Sequence, residues 1–291
     1  MSFMVTRRRL IKAGVGCSVA IAAPAWASSS LQHEFSALER SLDVTLGLWA
    51  HDTGTGKTLS YRAEERFAFC STFKVVLAAA ILAKSSADKG LLERKISYSE
   101  DDLVTYSPVT ERHLANGMTV SELCAATLQY SDNTAGNLLL EQIGGPAGLT
   151  DFARHVGDAS FRLDRTEPEL NTALPDDPRD TTTPLAMGVT LQKLLLGNSL
   201  PEGARRQLQE WLKGNTTGDK RIRAGVPQGW AVGDKTGSGD YGVANDVAVI
   251  WPSGKAPWVV TIFTRGQRKE SPWNNEIISS SMLKVVRFFG A

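Results

Sequence analysis

A serine hydroxyl is a weak nucleophile until a neighbouring base takes its proton. A Ser and a Lys three residues apart are therefore a chemically meaningful pair. Ser71 and Lys74, within Cys70-Ser71-Thr72-Phe73-Lys74, have this spacing, and on a helix such residues are neighbours. Two further clusters carry polar groups suited to acyl transfer. One is Ser131-Asp132-Asn133, and the other is Lys235-Thr236-Gly237, followed by Ser238-Gly239-Asp240. Each has a plain structural alternative. Ser71 and Ser131 could cap the helices that follow them, and Lys235 could be a basic strand end before a turn. All three in this order are far more specific than any one alone.

Elements must bring these distant segments together. His33–Leu42 has apolar residues at helical spacing. Val44–Ala50 and Leu59–Arg62 read as strands, and the turn residues from Asp52 to Lys57 predict a hairpin. Gly56-Lys57-Thr58 looks like the end of a phosphate-binding loop, but that motif needs a Gly where His51 stands. Helices are predicted over Val75–Lys84, Val120–Leu128, Ala135–Ile143 and Leu185–Leu196. Arg162–Pro184 is rich in Pro, Asp and Thr without periodicity, and an irregular stretch this long is usually functional or disordered. Trp230–Asp234, Val243–Trp251 and Trp258–Arg265 read as strands, and Asn275–Phe289 as a closing helix. Strands at both ends with helices between predict an α+β (α/β) protein. Its antiparallel sheet, flanked by helices, is built from 28–62 and 213–291. An all-helical unit, 63–212, contains the Ω-type loop 162–184.

The three motifs together resemble those of class A serine β-lactamases, and the resemblance runs along most of the chain. It extends to Arg165-Thr166-Glu167-Pro168-Glu169-Leu170-Asn171, which is similar to the family's Glu-x-x-x-Asn segment; taken alone, Glu167 could be a solvated loop carboxylate. The resemblance implies the β-lactamase and penicillin-binding transpeptidase-like fold, and hydrolysis of β-lactams through an acyl-enzyme. It implies a nucleophile at Ser71, with Lys74 or Glu167 as the base that activates it. Ser131 would relay a proton to the lactam nitrogen. Glu167 and Asn171 would hold the hydrolytic water. The backbone N–H groups of Ser71 and Ser238 would form an oxyanion hole. Asn133 would bind the acylamino group, Tyr106 would line the cleft, and Lys235, Thr236, Gly237 and Ser238 would hold the substrate end bearing the carboxylate. It also implies an Arg165–Asp180 clamp on the loop and a cis peptide before Pro168.

Departures from the family pattern sharpen the reading. Ala244 stands where many members carry an arginine, so Arg221 is expected to supply that charge, rather than being an exposed basic residue. Ala78 and Gly239 stand where partners for Cys124 and Cys70 would be, so both thiols are expected free. Ser238 and Asp240 resemble the cefotaxime-hydrolysing branch.

The chain has 291 residues, with 32 Lys and Arg against 31 Asp and Glu. At 42% hydrophobic and 22% charged it has an ordinary globular composition, and its balance gives no footprint for nucleic acid. The N-terminus changes that balance. Thr6-Arg7-Arg8-Arg9-Leu10-Ile11-Lys12, a short apolar run and Ala25-Trp26-Ala27 resemble a twin-arginine export signal over 1–27. Its removal leaves 264 residues with a formal charge of −3. The expectation is a periplasmic monomer acting on a small β-lactam, without stable membrane association. No cofactor or metal is expected, because His33, His51, His113 and His155 show no ligand pairing. A DD-peptidase or a β-lactam sensor would share the serine but not the Glu167–Asn171 pair.

Overall fold

The computed structural model describes residues 25–290. The basic segment and apolar run expected to form the export signal lie outside these residues. The first helix, α1 (Ala25–Leu42), begins earlier than its apolar spacing predicts. No Gly or Pro interrupts Ala25-Trp26-Ala27-Ser28-Ser29-Ser30, and Leu31 continues the buried stripe of Phe35.

The main sheet has five strands: β1 (Val44–Asp52), β2 (Thr58–Tyr61), β7 (Ala231–Ser238), β8 (Ala244–Trp251) and β9 (Trp258–Gly266). Their order is β2-β1-β9-β8-β7, with every neighbour antiparallel. The N-terminal hairpin therefore joins the C-terminal meander directly, through a register running from Val44–Gly266 to Asp52–Trp258.

Alternation gives the sheet two buried faces. Leu46, Leu48 and Ala50 of β1 pack with Ile250, Val260 and Ile262 towards α1 and the last helix, α8 (Glu276–Phe289). Trp49, Val247, Val249, Val259 and Phe263 face the opposite way, into a larger core formed with the intervening helices.

The heart of that core is α2 (Lys74–Ser85). Its residues from Lys74 to Leu82 are all buried, the pattern of a helix apolar on every side and enclosed by others. Around it lie α3 (Val120–Gln129), α4 (Asn133–Glu141), α5 (Gly145–His155), α6 (Pro184–Leu195) and α7 (Glu202–Lys213). Apolar spacing predicts four helices in this stretch, and the structure adds α5 and α7. α5 opens on Gly145-Pro146, a breaker pair that masks a helix start. α7 buries only Leu208, Trp211 and Leu212, a narrow stripe on an otherwise polar helix. Two small ladders also join loops: β3 (Phe67–Ala68) with β6 (Thr181–Thr182), and β4 (Lys95–Ile96) with β5 (Met118–Thr119).

Candidate active site

Ser71 sits on a 3-10 turn, Cys70–Phe73, that runs straight into α2. Cys70 before it has φ +46°, a left-handed conformation that costs a non-glycine residue about 1–3 kcal/mol and is concentrated at functional sites. Ser71 caps nothing: no side-chain hydrogen bond caps α2. Its Oγ donates instead to Glu167 Oε1 at 2.9 Å. Lys74 Nζ stands 3.0 Å from the same oxygen. The direct Ser–Lys contact that their spacing suggests is replaced by convergence on one carboxylate oxygen. Lys74 also donates to Ser131 O at 2.8 Å and Asn133 Oδ1 at 2.6 Å. Burial pushes Lys74 below the ordinary lysine range, with Glu167 opposing that shift.

Asp132, not Ser131, caps α4, its Oδ1 accepting from Ala135 N. The same carboxylate accepts from Val109 N and Thr110 N at 2.9 Å. One fully buried Asp thus fixes the 106–110 loop against α4, and Asn133 N donates to Tyr106 O across the same seam. Ser131 (φ +60°) and Tyr106 (φ +68°) are left-handed as well. Tyr106 is 57% exposed at the cleft mouth.

Glu167 is held from both sides of its backbone by Asn137, which accepts from Glu167 N at 2.9 Å and donates to Glu167 O at 2.8 Å. Asn171 Nδ2 donates to Glu167 Oε2 at 2.5 Å. Asn171 Oδ1 is buried with no hydrogen-bond partner among the described residues. The peptide between Glu167 and Pro168 is cis. Arg165 Nε meets Asp180 Oδ2 at 2.5 Å, and Asp180 Oδ1 accepts from the backbone of Asp164 and Arg165. The 164–180 loop is therefore closed by a carboxylate with no exposed surface.

The third motif lies on β7, and Gly237 explains how it reaches the serine. A Cβ at Gly237 would stand 2.7 Å from Phe69 O and 3.2 Å from Ser71 N. Only a glycine lets this edge strand approach the nucleophile turn so closely. Lys235 is fully buried, donating to Ser131 Oγ at 2.9 Å and Thr236 O at 2.8 Å. Burial, then the charge of Lys74, drives it well below the lysine range. Arg221 is buried rather than exposed. It donates to Gly237 O, Asn245 O, Ser238 Oγ and Asn275 Oδ1.

Behind it, burial and the neighbouring Asp234 raise the Asp246 carboxyl well above its ordinary value. Cys70 and Cys124 are free and buried, and burial raises both thiols. A Cβ at Gly239 would lie 2.8 Å from Cys70 Sγ.

These groups border one cavity of about 360 Å³, and Ser71, Ser131, Asn133, Asn171, Arg221 and Ser238 are among its walls. Lys74, Glu167 and Lys235 act from behind that surface. Thr217 and Trp273 also reach the cavity, and neither belongs to a motif. Thr217 Oγ1 lies 2.5 Å from Thr236 Oγ1.

The family model described as "Beta-lactamase enzyme family" matches residues 30–286. The chain is 54% identical over 248 residues to the carbapenem-hydrolysing β-lactamase KPC of Klebsiella oxytoca, covering 85% of each chain. It is 56% identical to the β-lactamase CTX-M-97 of Escherichia coli, covering 83% of this chain and 84% of that one. A β-lactamase crystal structure from Desulfarculus baarsii superposes with a TM-score of 0.89 at 56% identity, covering 91% of this chain and 98% of that one. From the shared motifs, the shared fold and identity above one half along most of its length, this chain belongs to the β-lactamase enzyme family, in its class A serine branch.

Proposed function

We propose that this protein hydrolyses the β-lactam amide bond of penicillins and cephalosporins through an acyl-enzyme on Ser71, and so confers resistance to them. The observation that carries this reading is the shared contact of Ser71 Oγ and Lys74 Nζ with Glu167 Oε1, beside the unpartnered Asn171 Oδ1. Ser71 Oγ attacks the lactam carbonyl, and its proton passes to the coupled Lys74–Glu167 pair. The carbonyl oxygen becomes an oxyanion, received by the N–H groups of Ser71 and Ser238. Such donors lower acyl-transfer barriers by about 2.7–4 kcal/mol each.

As the oxyanion collapses, the C–N bond breaks and Ser131 gives its proton to the departing nitrogen. That proton is replaced from the Lys74–Glu167 pair. Lys235 donates to Ser131 Oγ, which leaves the hydroxyl proton free for this transfer. In the second half-reaction Glu167 takes a proton from a water whose other proton is directed to Asn171 Oδ1. The resulting hydroxide attacks the ester carbonyl. As that adduct collapses the C–Oγ bond breaks, and the proton held by Glu167 returns to Ser71 Oγ, 2.9 Å from Glu167 Oε1, freeing the serine and the opened product acid.

Asn133 receives the acylamino group. Lys235, Thr236 and Ser238, with Arg221 behind them, receive the carboxylate. Gly237 holds the strand carrying these groups against the serine turn. Ser238 and Asp240 support cefotaxime as a substrate, and clavulanate as an inhibitor follows from the same acylation chemistry. We assign residues 1–27 as a twin-arginine signal, 28–62 with 213–291 as the sheet unit, and 63–212 as the helical unit with its Ω-type loop. The product is then a periplasmic monomer. Among the described residues no helix is long and apolar enough to cross a membrane.

Purified protein is expected to turn over nitrocefin rapidly and equally well with EDTA. A single stoichiometric burst would instead indicate a sensor or a peptidase.

A further inference from the structure

Trp273 is the most exposed of the large apolar side chains in the described residues, at 61%, and it stands on the wall of the active-site cavity. An indole left in water this way forgoes the burial that makes tryptophan valuable. Its position is nevertheless fixed. Nε1 donates to Gly239 O at 2.9 Å, which pins the ring edge to the outer end of β7. The backbone beneath it is tied too. Ser271 N donates to Arg268 O at 3.0 Å, and Arg268 N donates back to Ser271 Oγ at 3.1 Å. Gly242 and Gly266 give this segment room, since a Cβ at either would fall within 3.0 Å of Ser271 or Pro272 atoms. Two glycines, a proline and an indole hydrogen bond thus hold an aromatic face at a cleft mouth.

We infer that Trp273 is an aromatic platform for planar, ring-bearing acylamino substituents of the substrate; this rests on the β-lactam reading above. Position chooses the substituent. The carboxylate end of the proposed substrate lies at Lys235 and Thr236, and its lactam carbonyl lies at Ser71 and Ser238. The bound ring of Trp273 lies one residue further out, at Gly239. There Asp240 N donates to Asn171 O at 2.9 Å and joins β7 to the Ω-type loop. An acylamino group held by Asn133 extends towards this outer end. Tyr106 borders the same cavity, so a flat substituent meets two aromatic side chains, of which Trp273 is already fixed by its indole hydrogen bond before it binds. Preorganisation of this kind strengthens binding by removing ordering costs.

The test compares benzylpenicillin, which carries a phenyl ring on its acyl chain, with 6-aminopenicillanic acid, which has no acyl group. Wild type, Trp273→Phe and Trp273→Ala are each assayed for the ratio of the two kcat/KM values. Loss of one aromatic contact is worth about three- to tenfold. The expected result is a fall of that size in the ratio for Trp273→Ala, carried by KM, with Trp273→Phe retaining most of it. A ratio unchanged in both variants overturns the platform while leaving the hydrolase standing. An equal loss on both substrates also overturns it, because the unringed compound has nothing to stack. Failure of the wild type to turn over either substrate overturns both readings.

Discussion

Lys74 Nζ and Glu167 Oε1 are 3.0 Å apart with neither side chain exposed to solvent. An ion pair this deep is poor evidence for stability, since desolvating each charge costs several kcal/mol and their attraction at best offsets it. Its use lies in the proton it can share. The Ser71 hydroxyl already bonds the carboxylate oxygen at the centre of the pair.

Removing Glu167 should therefore give a stability loss that depends on pH through Lys74. Burial already holds Lys74 below its ordinary 10.5, and Glu167 is the largest influence raising it. Glu167→Ala lowers it further. The folded state then binds this proton less tightly than the unfolded chain, so its stability rises as pH climbs towards the unfolded value. Thermal melts should show the variant furthest below wild type near neutrality, with the gap narrowing towards pH 10. A constant gap would mean Lys74 does not feel Glu167.

The clamp of the Ω-type loop should matter for both stability and turnover. Asp180 is fully buried, and Arg165 is its only side-chain cation among the described ion pairs. Arg165→Ala leaves that carboxylate uncompensated, a loss of about 3 kcal/mol, and lowers Tm by roughly 2–4 °C for each kcal/mol. The released loop carries Glu167 and Asn171, so kcat should fall more than the acylation rate. Equal falls in both would show that the clamp does not position the deacylation groups.

The alkaline limb of kcat/KM reports an essential acid of the free enzyme, and we assign it to Lys235. Burial and Lys74 depress this ammonium well below 10.5. It loses its charge as pH rises through that lowered value, and binding of the anionic substrate weakens with it. Lys235→Arg keeps its charge throughout, because a guanidinium does not deprotonate in proteins. The limb should move upward in the arginine variant, whatever its overall rate. An unmoved limb would assign that ionisation to another group.

Arg221→Ala should raise KM for benzylpenicillin about tenfold and weaken clavulanate inhibition. The buried guanidinium donates to four acceptors, and truncation removes all of these bonds. Hydrogen bonds to charged groups are worth about 1.5–3 kcal/mol each, so a drop in Tm should accompany the change. Lysine should not restore KM, since an ammonium lacks the fork that spans these acceptors. An unchanged KM would remove Arg221 from the binding site.

The sheet was legible from alternation in β1 and from the apolar runs that form β8 and β9, and the catalytic groups from three short motifs and one loop segment. Other features depended on tertiary context. The short spacing of Ser71 and Lys74 suggests a direct contact, yet a carboxylate from 93 positions further along the chain intervenes. The resemblance singles out Arg221 in Lys220-Arg221-Ile222-Arg223, but its burial comes only from the approach of β7, β8 and Asn275. α7 hides because it needs just three apolar residues to dock. Trp273 belongs to no periodic pattern and no motif; its significance comes from a hydrogen bond to Gly239 O at the outer end of β7. Ser131 offers itself as a cap in the sequence, but Asp132 takes that place, and its second oxygen fixes a loop more than twenty residues earlier.

The central claim is that Ser71 is acylated by the lactam and that Glu167 drives release of the acyl group. It is tested most directly by intact-mass measurement of Glu167→Ala mixed briefly with benzylpenicillin, alongside wild type. The variant should gain the full mass of one penicillin, localised to Ser71 and persisting long after the wild type has returned to its unmodified mass. A variant that stays unmodified, or that sheds the adduct as fast as wild type, would contradict the account.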